Sequence, residues 1–212
     1  MLPHTLSLPD ILVRWEMWGA LIRNRLDSVL GGAKEIPFDH HSRFIFFSDV
    51  HRGDGSCTDA FRHNEELFLE ILKHYTRQGF TYIEVGDGDE LWKNRRFVDV
   101  QKAHPRTFEL LHTLQDRQQL HIILGNHDIA GHQHHPIQKD GIPTDEALLL
   151  RHATTGQRIL VTHGHQADIV SDRLHVFGRL IVRHFWRRIQ RCCLDHHDAQ
   201  NLAPRLSRWG ST

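Results

Sequence analysis

Residues 46–55, FFSDVHRGDG, close an apolar run with an aspartate and a histidine two positions apart. An apolar run of this length reads as a buried strand, and the polar residues after it mark where the strand meets solvent. Three more runs end the same way. TYIEV at 81–85 leads into Gly86 and Asp87, LHIIL at 120–124 into Gly125 and Asn126, and RILV at 158–161 into Thr162 and His163. Each residue alone has an ordinary explanation: a helix cap for Asp87, a turn for Asn126, a hydrogen-bonded core histidine for His163. Four runs ending in Asp, Asn or His have a simpler common cause, a metal site at the carboxyl ends of strands, where α/β sheets place their ligands. Asp49 and His51, if the chain stays extended, point to the same side and can grip one ion. Gly86 and Gly125 leave the backbone free to turn just before the candidate ligands.

Between these runs the spacing of apolar residues is helical. The spacing predicts an amphipathic helix over 8–30, carried by Ile11, Trp15, Trp18, Ile22, Leu26 and Val29 and stopped by Gly31 and Gly32. A second helix is expected over 59–78 on Phe61, Leu67, Leu69, Ile71, Leu72 and Tyr75. A third is expected over 98–116, with Pro105 as its break or its start. Strands separated by helical crossovers pair in parallel, so the chain reads as a layered α/β domain. The Thr-Thr-Gly turn within 146–163 adds an antiparallel hairpin. The polar stretch 129–145 reads as a long loop.

Bulk composition excludes more than it assigns. The 212 residues suit one domain, read as a helix and lead-in over 1–40 followed by the main domain over 41–212. Lys plus Arg and Asp plus Glu number 26 each, so overall charge points to no nucleic acid. Three cysteines, two of them adjacent, fit no disulfide framework and suggest a reducing compartment, the cytoplasm. Neither a signal peptide nor a membrane span is legible. Residues 171–191 hold six arginines on a helical apolar spacing. That pattern suits either a helix packed on the core or a peripheral contact with an anionic membrane. The pairs at 40–41, 134–135 and 196–197 account for six of the twenty histidines and read as surface clusters.

The ordered blocks DVH (49–51), GDGDE (86–90), GNHD (125–128) and THGH (162–165) resemble the calcineurin-like metallophosphoesterases, whose pattern is D-x-H, G-D-x-x-[DE], G-N-H-[DE] and then a histidine. In SDVHRGD, GDGDELW and HGHQAD the chain is most similar to the branch that contains the UDP-2,3-diacylglucosamine pyrophosphatases. The resemblance implies a sheet sandwich flanked by helices. It implies two divalent ions, Mn first with Fe or Zn as alternatives, and a small phosphorylated substrate, lipid-linked if the branch holds. Asp49 and His51 would bind one ion, Asp87 would bridge, and Asn126 with His163 would bind the other. His127 would act on the phosphate, oriented by Asp128. Arg52 is either a phosphate contact or a solvated loop residue, and His165 either a ligand or a supporting group. After residue 165 the family's closing G-H-x-H does not occur. The expectation is therefore a fold incomplete at its C-terminal side, and a weakly active binding module stands as the rival to a working hydrolase.

Overall fold

The computed structural model describes residues 8–94, 96–128 and 139–167. Helix α1 spans Leu8–Gly32, β1 Lys34–Phe38 and β2 Phe44–Phe47. After a 3-10 turn at Phe61–His63 come α2 (Glu65–Arg77), β3 (Thr81–Val85), α3 (Phe97–Ala103), α4 (Pro105–Asp116) and β4 (Leu120–Ile123). β5 (Thr144–Asp145), β6 (Leu148–His152), β7 (Arg158–Val161) and a 3-10 turn at His165–Ala167 follow.

Two sheets form. One has the order β2-β3-β4-β5 and is parallel throughout. The other has the order β1-β6-β7, with β1 parallel and β7 antiparallel to β6. Alternation along the strands separates two cores. Tyr82 and Ile122 face the helices and pack with Leu72, Val100, Phe108, Leu111 and Leu114. Their neighbours Ile83 and Ile123 face the other way and pack with Leu148 and Leu150 of β6. The layers are thus helices, parallel sheet, second sheet. This is the expected α/β sandwich, and the hairpin at 146–163 forms where the turn residues placed it.

Several expectations change. β1, inside the segment read as a lead-in, is hydrogen-bonded to β6 along its whole length, so residues 34–38 belong to the sandwich. β5 lies in the stretch read as loop. Both carry little apolar periodicity, and pairing with a distant neighbour is what makes them strands. In α2 the buried face is Leu69, Leu72 and Thr76, whereas Leu67 is 63% exposed. Pro105 is both break and start, ending the α3 segment and occupying the first turn of α4, where its missing N–H leaves no bond unmade. In α1, Val29 is buried but Trp18 is exposed. Residues 171–191 and the histidine pairs at 134–135 and 196–197 lie outside the described residues. Among the described residues no helix is long and apolar enough to cross a membrane.

Buried charges tie the strand ends together. The Arg52 guanidinium, fully buried just after β2, donates two bonds of 2.7 Å to Glu84 on β3 and one of 2.7 Å to Asp89. Lys139 Nζ lies 2.7 Å from Asp89 and 2.6 Å from Asp128. The Tyr82 hydroxyl donates to Glu84 at 2.9 Å. A second knot holds the segment before α2. His104 donates from Nε2 to Asp59 at 2.8 Å and from Nδ1 to Glu65 at 3.0 Å, which needs both ring protons and hence the imidazolium. Burial opposes that charge, but the bonds and charges of Asp59 and Glu65 prevail and raise the His104 pKa above the usual histidine range.

Two outcomes follow. Arg52→Met leaves Glu84 buried without its bidentate partner and Asp89 with Lys139 alone, so urea unfolding should show a loss of about 3–5 kcal/mol. The exposed Arg96→Ala should leave the midpoint close to that of the parent. For His104 the folded pKa is raised, so its stabilisation is complete below the unfolded value of about 6.5 and fades as pH climbs through the folded value. The stability gap between parent and His104→Gln should therefore be widest at acidic to neutral pH and narrow toward alkaline pH, read from thermal midpoints across that range.

Candidate metal centre

The site forms where the segments after β2, β3 and β4 run side by side. Backbone bonds join the first two: Asp49 N–H donates to the Gly86 carbonyl at 3.1 Å, His51 N–H to Asp87 at 2.9 Å, and Arg52 N–H to Gly88 at 2.9 Å. The third is joined from both sides. Leu91 N–H donates to the His127 carbonyl at 3.0 Å, and Trp92 Nε1–H donates to the Asn126 carbonyl at 2.7 Å. Asp49, His51 and Asp87 have φ of 56°, 52° and 53°. These are left-handed conformations that cost a non-glycine residue about 1–3 kcal/mol each. Asp49 and His51 therefore do not follow from an extended strand, as their spacing suggested; a local twist presents them.

Asp87 sits at the centre. Its Oδ2 is 3.3 Å from His163 Nε2 and 3.9 Å from His51 Nε2, and that same His51 nitrogen is 3.6 Å from Asp49 Oδ1. With ligand bonds of about 2.0–2.2 Å, two ligands of one ion stand roughly 3–3.6 Å apart, so the separations of 3.3 and 3.6 Å suit shared ligation and that of 3.9 Å is slightly wider. Asp49, Asp87 and His163 present one donor atom each within 4.8 Å of one another. His163 shows the support usual for an imidazole ligand: Nδ1–H donates to the Val85 carbonyl at 2.9 Å, which fixes the tautomer and turns Nε2 inward. Burial disfavours charge on His163, but the hydrogen bond and charge of Asp87 outweigh it and lift its pKa to about 9. Asp87 is lowered in turn: burial would raise it, and the bond and charge of His163 more than offset this. The donor set fits a divalent cation. Asp49, Asp87 and His163 would hold it, with His51 beside Asp49 and Asp87 and Asn126 at the adjoining strand end.

The five expected ligands do not share one sheet edge. Asp49, Asp87 and Asn126 follow strands of the parallel sheet, whereas His163 follows β7 of the second sheet and reaches across the sandwich. Gly86 allows that reach. A Cβ there would lie 2.4 Å from His163 Cγ, and at φ 74° the backbone favours glycine in any case. A second group of possible donors is His51, Glu90 and His127; His165 stands beside His163, ring centroids 5.7 Å apart, and belongs to neither group among the described residues.

Two assignments are corrected. Arg52 is neither a phosphate contact nor a solvated loop residue, because its side chain is fully buried in the ion pairs to Glu84 and Asp89. Asp128 does not orient His127. Its carboxylate accepts the N–H groups of Asp89 at 2.8 Å and Gly125 at 2.8 Å and pairs with Lys139. The orienting carboxylate is Glu90, whose Oε1 accepts His127 Nδ1–H at 2.8 Å while its Oε2 lies 3.4 Å from His51 Nδ1. Burial works against ionisation of Glu90, yet the bonds to His127 and His51 hold it far below the usual carboxylate range. The Trp92 ring stacks on His127 at 4.1 Å and 15°. Glu90 was visible as the acidic last residue of GDGDE; its role was misplaced because Asp128 adjoins His127 in sequence.

Over residues 42–206 the chain matches the calcineurin-like phosphoesterase family, and it belongs to that family. Its activity is therefore that of a metal-dependent phosphoesterase, a hydrolase of phosphoester bonds, and members of the family bind divalent metals. No curated protein and no solved structure gave a significant match to the chain.

Gly125 supplies a test of the centre. A Cβ there would lie 2.1 Å from Asp87 Oδ1 and 2.3 Å from its backbone nitrogen, so Asp87 must move. Gly125→Ala should lower metal content per folded protein severalfold. Gly31→Ala, which meets open space, should not.

Proposed function

We propose that this chain hydrolyses a small phosphorylated substrate at a two-ion centre, with a phosphate ester or phosphoanhydride as the reacting bond. The observation that carries the reading is the position of the Asp87 carboxylate between two imidazole nitrogens from opposite sheets, His51 Nε2 and His163 Nε2. Mixed carboxylate, amide and imidazole donors suit Mn first, and Fe or Zn also. When bound, such ions polarise phosphoryl oxygens and make water a better nucleophile.

The chain's own groups do the rest. Asp49 and Asp87 bring two negative charges, and Asn126 at the third strand end brings a neutral amide, so the loaded site keeps the positive surplus that an anionic substrate needs. His127 gives its Nδ1–H to Glu90, which leaves Nε2 as the atom available to the substrate. Held by Trp92 on its face, that ring is placed to stabilise the phosphate or to protonate the leaving oxygen. The cleft beside His51 and Glu90, with a volume of about 190 Å³, is below the range of a complete ligand pocket and suits one part of a substrate. A lipid-linked sugar nucleotide, cytoplasmic placement and peripheral membrane contact through residues 171–191 complete the proposal, supported by motif detail and by the basic amphipathic pattern of that segment.

The experiment is hydrolysis of p-nitrophenyl phosphate with and without added Mn. Asp87→Ala should lose both metal and activity. His127→Ala should keep its metal and lose about 10²- to 10⁴-fold in kcat, the usual contribution of a positioned acid or base. Turnover in metal-free protein, or metal loss in His127→Ala equal to that in Asp87→Ala, would overturn these assignments.

A further inference from the structure

The wall of the cleft beside the metal centre includes Gly53, Thr58, Asp59 and Ala60, all from the segment that runs on from His51 and Arg52. Arg52 anchors one end of that segment and Asp59 the other. The Asp59 carboxylate is buried and filled from within the fold. Its Oδ1 accepts the Phe61 N–H at 3.0 Å and the Arg62 N–H at 3.3 Å, and its Oδ2 accepts the Gly55 N–H at 2.9 Å and His104 Nε2–H at 2.8 Å. The chain passes close over it: a Cβ at Gly53 would lie 2.7 Å from Asp59 Cγ, and one at Gly55 would lie 3.3 Å from Ala103 Cβ. The segment therefore rests on the end of α3, next to His104. That histidine is 1% exposed and sits at the junction of α3 and α4. Among the described residues, the titratable groups that act on it are Asp59, from the cleft segment, and Glu65, from the first turn of α2. Glu65 Oε1 accepts the Thr107 hydroxyl of α4 at 2.7 Å, and the Phe61 ring lies against the imidazole at 5.1 Å.

We propose that His104 is a positioning residue for substrate binding, which holds the cleft wall through Asp59 and cancels the charge that Asp59 would otherwise turn toward a phosphate. The inference rests on the phosphoesterase reading above and adds to it a residue that stands behind the wall, outside both groups of possible metal donors. As an imidazolium, His104 donates from both nitrogens and satisfies Asp59 and Glu65 together. The neutral ring has one N–H and must release one of the two carboxylates. Whichever it keeps, Asp59 then stands in the cleft with its charge uncompensated, and an anionic substrate meets repulsion that a partly buried site screens poorly. If Asp59 is the one released, the tie between the cleft segment and the α3–α4 junction is lost as well. Both consequences weaken binding. Neither reaches His127 or the metal donors, so KM carries the effect and kcat does not.

The test is hydrolysis of p-nitrophenyl phosphate by the Mn-loaded protein, followed from acidic to alkaline pH. At neutral pH His104→Gln should raise KM about 3- to 10-fold, the worth of one hydrogen bond, and leave kcat within about twofold. His104 is a cation below its raised folded pKa and loses that charge as pH climbs through it, so the KM gap between parent and His104→Gln should close on the alkaline side. Glu65→Gln keeps an acceptor for the ring and removes a charge that favours the imidazolium. In that variant the parent's alkaline rise in KM should move toward acid by about one pH unit or more. A role in folding alone would lower the thermal midpoints of both variants and leave the KM profiles where they were. Amide exchange at Gly55 and Phe61 should quicken in His104→Gln, a readout independent of turnover. An unchanged KM or unchanged exchange in His104→Gln, or a Glu65→Gln profile that superimposes on the parent's, overturns the role while the phosphoesterase reading stands, because the parent still turns over the substrate. A parent inactive with every divalent ion overturns that reading, and the role falls with it.

Discussion

The Arg52 guanidinium is the constraint on which the site depends. It is fully buried, and Glu84 and Asp89 satisfy it from two points on one strand and the loop beyond it. A bidentate bond to Glu84 admits one orientation of the fork, so the backbone of residue 52 has one position relative to β3. Asp49 and His51 lie within three residues of that anchor. Lys139 and Asp128 extend the same network to the turn after β4 through Asp89 and Gly125. Two cations face three carboxylates, Arg52 and Lys139 against Glu84, Asp89 and Asp128, and backbone N–H groups on Asp128 complete the balance. Such a cluster adds little net stability over an apolar core, but it fixes geometry because any partial arrangement leaves a buried charge unpaired.

That anchoring explains how strained backbone persists at the centre. Asp49, His51 and Asp87 all adopt left-handed conformations, which relax unless the surroundings over-determine them. Backbone bonds from Asp49 to Gly86, His51 to Asp87 and Arg52 to Gly88 hold the two loops in register. The glycines contribute space as much as freedom. At Gly125 a side chain would occupy the position of the Asp87 carboxylate, and at Gly88 that of Glu84. Ligand placement and burial of the ionic network are therefore one packing problem.

Glu90 joins this frame to the proposed chemistry. One carboxylate faces His51 and His127, each through Nδ1, so the Nε2 atom of each ring is turned away from it. His51 then offers Nε2 to Asp49 and Asp87, and His127 offers its own toward substrate. Lys93 Nζ lies 3.7 Å from Glu90 Oε2, the oxygen that also faces His51, and its side chain lines the cleft. The proposed metal ligation and proton handling thus share a single charged side chain as their reference point.

The sequence alone determined the order of main strands and helices, because apolar spacing records local geometry. It also pointed to the strand ends where Asp49, Asp87 and His163 come together as candidate donors, because a residue that follows directly on a strand is delivered with it. It did not reveal β1 or β5, whose few residues become strands through partners more than twenty residues away. Nor did it show that His163 crosses from the second sheet, that Arg52 turns inward, or that Glu90 rather than Asp128 orients His127. Each of these is a choice between directions for a side chain whose position in sequence is unremarkable. Adjacency in the chain favoured Asp128, whereas burial and the N–H groups of Asp89 and Gly125 drew its carboxylate beneath the site and left His127 to the acid three residues beyond Asp87. Tertiary structure decided these points because the partners of a buried charge are set by packing between distant segments, and local pattern carries no record of them.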